Sequence, residues 1–318
     1  MCGIAFISPA PGSALDVASL GRELLKVLEA RGADAAGYAW RDDQGDAWVV
    51  KAPQSGSTLA RTTPPAAMMD TGCRALLLHT RYATLGSPER NENNHPIVRP
   101  GVQMVHNGHV RNHWRLAQAN KIARDAEVDS EVLAAIIELA RTDDDALRAF
   151  ATVEGTAAVA WLKDGDPIGL LHAARLNGSP LVIAQTKAGD TIGCSTEYLM
   201  RKACDRLGIA LDWVEHLKEG EYITVRDGVI ERFETFKTAP SGVYVKPDYK
   251  RPSRWSSKPA PAKVETVKPR KPLTLAGARV HVQNYLDLSD QRKAELEEVF
   301  GTLTDEELRL FDDMDFES

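Results

Sequence analysis

A chain of 318 residues, 43% apolar and 26% charged, is long enough for one large or two ordinary domains and too apolar to be disordered throughout. Its formal net charge of −6 argues against a general affinity for nucleic acid, which calls for a basic surface. No apolar run approaches the roughly 18 residues of a membrane-spanning helix, and no basic-then-apolar leader opens the chain, so a cytoplasmic protein without membrane contact is expected.

The chain opens with an apolar strand, Ile4 to Ile7, directly behind Met1-Cys2-Gly3. A helix is predicted from Leu15 to Ala30: Ser13 precedes it, Asp16 sits three residues on, and Leu20, Leu24, Val27 and Leu28 share one face. Further strands are predicted at Ala75 to Leu78, Val102 to Val105, Thr156 to Trp161, Pro180 to Ala184 and Glu221 to Val225. Helices are predicted at Ser130 to Arg141 and Glu197 to Leu207. Strands separated by Gly-rich turns, with helices grouped between them, describe a layered α/β or α+β domain over residues 1–240.

Composition then shifts. Residues 246–272 hold six prolines and nine Lys or Arg against two acids, which predicts an extended basic linker over 241–275, either a solvated spacer or a docking strip for an acidic partner. Residues 276–318 form an acidic tail, with twelve acids against three bases from Asp287 onward. Thr304 and Glu307 make a capping box ahead of Leu308, Leu310 and Phe311, and Ser289 can cap an earlier helix carrying Leu296, Val299 and Phe300. Two short amphipathic helices are too small to bury a core alone, so they are expected to dock on the protein's own body or on a partner.

The four cysteines, Cys2, Cys73, Cys194 and Cys204, form no CxxC pair, which excludes a disulfide framework and a cysteine zinc site. The last three read as packing residues. Cys2 differs. If Met1 is removed, its α-amine and thiol share one residue, and an amine titrating near pH 8 can act as the base for its own sulfur. By position alone the same cysteine reads more readily as a plain buried residue of an edge strand. Histidines 79, 95, 106, 109 and 113 lack metal-ligand spacing, and His106 reads as a hydrogen-bonded core histidine.

Five short segments bear on this choice: Arg31-Gly32-Ala33-Asp34-Ala35-Ala36-Gly37, His79-Thr80-Arg81-Tyr82-Ala83-Thr84-Leu85-Gly86, Asn94-His95-Pro96, His106-Asn107-Gly108 and Val128-Asp129-Ser130-Glu131. Singly, Asn-Gly is a turn, a loop arginine is solvated and Asp129 is a helix cap. In this order, together with Ala173-Ala174-Arg175, Gly178-Ser179-Pro180-Leu181-Val182 and Glu219-Gly220-Glu221, the chain over residues 2–236 resembles the class II glutamine amidotransferases of the N-terminal nucleophile type. The pattern is most similar to the glutaminase domain of glucosamine-6-phosphate synthase.

The resemblance implies a four-layer αββα sandwich of two antiparallel sheets, with Cys2 opening a central strand as the nucleophile. It assigns Arg81 to the α-carboxylate of L-glutamine, Asp129 to its α-ammonium, and Asn107 and Gly108 to the oxyanion. Thr84 and Tyr82 line the substrate pocket, and Arg31 and Gly32 lie behind the nucleophile. No metal and no cofactor is implied. Physical chemistry agrees with the roles: a free amino acid carries both charges at one end, so its pocket needs a planar cation and a fixed anion, and glycine lets a backbone N–H approach an oxyanion closely. Tyr82 stands where the family often has Trp, and Leu85 where it often has His.

No adenylating Ser-Gly-Gly-x-Asp-Ser loop, phosphoribosyl-pyrophosphate motif or sugar-isomerase pair follows residue 240. The expectation is therefore a glutaminase that releases glutamate and passes ammonia to a separate synthase or transferase docked through the tail. An N-terminal-cysteine amidase for another substrate and a non-catalytic scaffold are the alternatives.

Overall fold

Side-chain alternation in the first strand separates two apolar cores. In β1 (Gly3–Ser8), Ile4 and Phe6 enter one buried cluster while Ala5 and Ile7 enter another. The computed structural model describes residues 1–62, 72–239 and 265–266. After β1 come helix α1 (Val17–Leu28), strands β2 (Ala35–Arg41) and β3 (Ala47–Ala52), helix α2 (Gly56–Thr62) and strand β4 (Ala75–Arg81). Strands β5 (Ile97–Arg99) and β6 (Val102–Val110) lead to three helices, α3 (His113–Ala119), α4 (Ser130–Leu139) and α5 (Asp143–Phe150). Four strands follow, β7 (Gly155–Lys163), β8 (Leu171–Asn177), β9 (Val182–Thr186) and β10 (Thr191–Cys194). Helix α6 (Glu197–Arg206) and strands β11 (Leu211–His216), β12 (Glu221–Arg226), β13 (Val229–Thr235) and β14 (Glu265–Thr266) complete the described elements.

Among the described residues these strands make two antiparallel sheets, ordered β11-β9-β10-β1-β4-β2-β3-β14 and β13-β12-β8-β7-β6-β5. Ile4, Phe6 and Leu77 of the first sheet meet Val105, Ala158, Ala160 and Ala173 of the second in a shared core. The outer face of the first sheet packs on α1, α2 and α6 through Leu24, Leu28, Leu59, Met200 and Cys204. The outer face of the second packs on α3, α4 and α5 through Leu116, Leu133, Ile137 and Phe150. This is the four-layer arrangement expected, with β1 in the middle of its sheet.

Element positions agree with the sequence reading and several boundaries move. Helix α1 starts later than expected: Asp16, not Ser13, is its N-cap, accepting from Ser19 N at 2.9 Å. Ser13 instead accepts from Leu15 N at 3.1 Å, a turn ahead of the helix. Asn107-Gly108 forms no turn; it lies inside β6, paired with Ala158 and Ala157 of β7. Cys194 and Cys204 are buried in the core, and Cys73 packs against it. Glu265 and Thr266 pair with Lys51 and Val50 at the edge of the first sheet, so at these two residues the stretch expected to be linker lies along β3. The rest of that stretch and the acidic tail lie outside the described residues.

Candidate active site

The β1–β4 register sets Gly3 opposite Thr80 and so delivers Cys2 to the end of β4. There the half-buried Cys2 Sγ accepts from Tyr82 N at 3.4 Å and faces the Tyr82 carbonyl at 3.7 Å. Arg31, from the short 3₁₀ segment Glu29–Arg31, donates Nε to the Cys2 carbonyl at 2.7 Å. Gly32 permits the close approach: a Cβ there would stand 2.3 Å from the Arg81 carbonyl carbon. Burial pushes the Cys2 thiol above its usual range, and the Tyr82 N–H, the terminal amine and Arg81 only partly oppose it. A thiol held protonated in this way needs a base within reach before it can attack.

Arg81 ends β4 with a buried guanidinium. Its Nη1 donates to Asn94 Oδ1 at 2.8 Å, and Nη2 donates to the carbonyls of Leu85 and Gly86, the latter at 2.9 Å. The loop after β4 therefore folds back over its own arginine. Asp34 Oδ2 pins it at Ala83 N (2.8 Å), and Asn93 and Glu127 fasten it to the next loop through Asn93 Nδ2 to Glu127 Oε2 (2.8 Å) and Glu127 N to Asn93 Oδ1 (2.8 Å). Tyr82 and Thr84 are exposed on this loop.

Asn107 and Gly108 come from the other sheet. With its amide oriented to satisfy both neighbours, Asn107 donates Nδ2 to the Cys2 carbonyl (3.0 Å) and accepts from Arg31 Nη2 (3.3 Å). Gly108 has φ +153°, and a Cβ there would lie 2.0 Å from the Thr156 carbonyl oxygen, so only glycine fits the strand at this point.

Asp129 immediately precedes α4 but does not cap it; its Oδ2 instead accepts from Val110 N on β6 at 2.5 Å. The capping expected of this aspartate gives way to a cross-element bond that turns the carboxylate toward the strand carrying Asn107. Burial acts to raise its pKa, but the His109 ring and the Val110 N–H outweigh burial and hold it ionised below the usual carboxylate range. The loop ahead of it is organised by buried Glu131, which accepts from Asp125 N (2.8 Å) and Ala126 N (3.1 Å) and pairs with Arg99 and Arg124.

Behind the site lie three buried histidines, of which His79 and His95 stack and His106 is tilted against His95. His79 and His95 ring centroids are 4.0 Å apart, and those of His95 and His106 are 6.4 Å apart. His79 Nε2 meets the His106 carbonyl (3.1 Å) and His106 Nδ1 meets Ser130 Oγ (2.8 Å), tying β4, β6 and α4 together. His106 is thus the hydrogen-bonded core histidine expected, although among the described residues its Nε2 has no hydrogen-bond partner. Burial keeps all three neutral, with His79 pushed down to about 3. Because the folded state holds these imidazoles neutral while the unfolded chain protonates them near pH 6.5, their contribution is intact above that pH and is lost as pH falls toward 3. His79, held neutral down to about pH 3, should by itself cost about 1.4 kcal/mol per pH unit below about pH 6.5. His109, whose pKa is raised, works in the opposite sense and offsets part of the loss. Urea unfolding at about pH 7 and about pH 5.5 checks this; equal stabilities would contradict a neutral stack. Among the described residues no group of three or more His, Cys, Asp or Glu is placed to hold a metal ion.

The structure thus gathers Cys2, Arg31, Asn107 and the Arg81 and Asp129 charges, both of which act on the Cys2 thiol. It leaves the Thr84 side chain exposed. Sequence reasoning missed His109, whose Nδ1 lies 3.4 Å from Asp129 Oδ2. It also missed Asn94 as the partner of Arg81, and the Asn93–Glu127 fastening. Asn94 sat in a segment already singled out; the other contacts join residues 20 or more positions apart and leave no local signal.

No family model matches the chain. It is 32% identical over 235 residues to the glutamine–fructose-6-phosphate aminotransferase [isomerizing] of Vibrio vulnificus strain YJ016, which covers 69% of this chain and 36% of that protein. The enzyme of the same name from Salmonella typhi is 36% identical over 178 residues, covering 53% of this chain and 28% of that one. The chain therefore spans about a third of the length of these curated relatives. Among solved structures, the glutamine phosphoribosylpyrophosphate amidotransferase of B. subtilis superposes with a TM-score of 0.59 at 21% identity, covering 75% of this chain and 50% of that one, and so shares the fold.

Proposed function

We propose, since this chain carries a class II glutamine amidotransferase domain, that it hydrolyses the side-chain amide of L-glutamine through a γ-glutamyl thioester on Cys2. Removal of Met1, which is 77% exposed, puts the α-amine on the residue that carries the thiol. The Met1 amine is already held below its usual range by burial, with Arg31 adding to the effect, and the same surroundings favour a neutral base at position 2.

The neutral amine takes the thiol proton as sulfur attacks the amide carbon. Negative charge moves to the amide oxygen, facing the Asn107 side chain and the Gly108 N–H. Collapse breaks the C–N bond, the amine returns the proton to nitrogen, and ammonia leaves. Water then attacks the thioester with the same amine as base, releasing glutamate and the free thiol. Arg81 pairs with the α-carboxylate and Asp129 with the α-ammonium, which fixes the amide over Cys2.

The observation that supports this reading is a half-buried Cys2 thiol against the Tyr82 backbone directly after Arg81 (3.4 Å), with Asn107 and Arg31 both on the Cys2 carbonyl (3.0 and 2.7 Å). Ammonia would pass to an acceptor on a separate protein held by residues 276–318, with residues 241–275 as tether; their opposite charges support a docking role. Incubating the full chain with L-glutamine should yield equal amounts of glutamate and ammonia, and little from N-acetyl-glutamine, whose α-ammonium is blocked. Comparable turnover of both would make it an amidase of another class. No glutamate, with or without candidate acceptors, would make it a scaffold.

A further inference from the structure

We infer that His109 gates substrate binding by competing, when protonated, with the α-ammonium of glutamine for the Asp129 carboxylate. This rests on the glutaminase reading above. His109 Nδ1 lies 3.4 Å from Asp129 Oδ2, the oxygen already accepting the Val110 N–H. Its backbone is fixed, His109 N donating to Thr156 Oγ1 at 3.2 Å, while its side chain is 40% exposed and free to exchange protons with solvent. His109 thus sits next to Gly108 in the chain and beside Asp129 in space.

The charged and titratable groups around it are Asp129 ahead of α4, Arg111 beyond β6, His113 on α3 with Arg124 behind it, and His106 on β6. Arg111 disfavours a second positive charge, yet Asp129 prevails and His109 holds its proton above the usual histidine range. Once protonated, the imidazolium occupies one carboxylate oxygen and repels an arriving ammonium. Once neutral, it leaves Asp129 as an unneutralised anion that attracts the substrate. Proton and amino acid then bind in competition, a linkage that must act equally in both directions.

The test reads binding separately from chemistry. From about pH 8 to about pH 6, KM for L-glutamine and Ki for L-glutamate should both rise by roughly 5- to 100-fold in the wild type, the upper end being the roughly tenfold per pH unit that one competing proton allows. In His109→Gln the rise should shrink to less than about twofold. A measurement that needs no variant uses 2-oxoglutarate, which lacks the α-ammonium; its Ki should not rise with that of glutamate. Parallel pH profiles for wild type and H109Q, or for glutamate and 2-oxoglutarate, would overturn the gate. If H109Q fails to fold, the comparison of the two acids decides alone. Absence of glutamate release by the wild type at about pH 8 would overturn the glutaminase reading itself, whereas turnover with a pH-independent KM overturns only the gate.

Discussion

Replacing Cys2 by alanine is expected to lower kcat for glutamate release by roughly 10⁴- to 10⁶-fold, the scale on which loss of a covalent nucleophile is felt. The contacts of this sulfur are to the Tyr82 backbone at 3.4 and 3.7 Å, long enough that their removal should change stability by less than about 1 kcal/mol. Activity and thermal midpoint therefore separate: the first disappears and the second stays. Cys2→Ser sharpens the point, because serine keeps the amine and the permissive small residue behind Met1 and replaces only the sulfur, intrinsically the far better nucleophile. Glutamate assays and thermal melts of the two variants check the pair. Turnover within tenfold of wild type in C2A would remove Cys2 from the chemistry.

The second large effect is expected at Asp129. Asp129→Asn keeps an oxygen to accept the Val110 N–H and removes the charge, so the β6–α4 junction should persist. Breaking a buried, hydrogen-bonded charge pair costs about 2–5 kcal/mol, so kcat/KM for L-glutamine should fall by on the order of 10²- to 10³-fold, chiefly through KM. A fall carried by kcat instead would mean that Asp129 positions the catalytic residues rather than the substrate. The same variant leaves His109 without its anion, so its pKa should return toward the ordinary value, which NMR titration of the His109 ring reads directly.

Much of the fold was legible because burial leaves a period in the chain. Ile4 to Ile7 alternate between two cores, and Leu20, Leu24, Val27 and Leu28 repeat as one helix face, so β1 and α1 could be placed without coordinates. The αββα layering was not in the period; it came from the resemblance, because pairing order is a long-range property that no local pattern encodes. Capping was legible only in part. Ser13 and Asp16 are both credible caps, and the choice between them depends on where the strand-to-helix turn ends. Asn107-Gly108 shows the limit of local rules most clearly: turn chemistry favours a hairpin, yet the neighbouring strand β7 holds both residues in the ladder and uses the missing Cβ to admit the Thr156 carbonyl.

For the site, the motif segments carried Cys2, Arg31, Arg81, Asn107 and Asp129. What they could not carry was who else touches these groups. Arg81 reads as a cation waiting for a carboxylate, but in the folded chain it also gathers the Asn94 amide and the Leu85 and Gly86 carbonyls. Leu85 replaces a histidine common in the family, yet the contact made here runs through its backbone, which any residue supplies. His109 was set aside with the other histidines as a weak metal ligand, since only the fold brings it against Asp129.

The account turns on one residue providing both sulfur and base, and mass spectrometry tests that most directly. Wild-type protein treated with 6-diazo-5-oxo-L-norleucine, whose diazo carbon alkylates an active thiol with loss of nitrogen gas, would be digested and its first peptide sequenced. The expected product is a peptide that begins at Cys2, lacks Met1 and carries the adduct on that cysteine. A fully active enzyme whose first peptide still begins with Met1, or whose adduct lies on another residue, would contradict it.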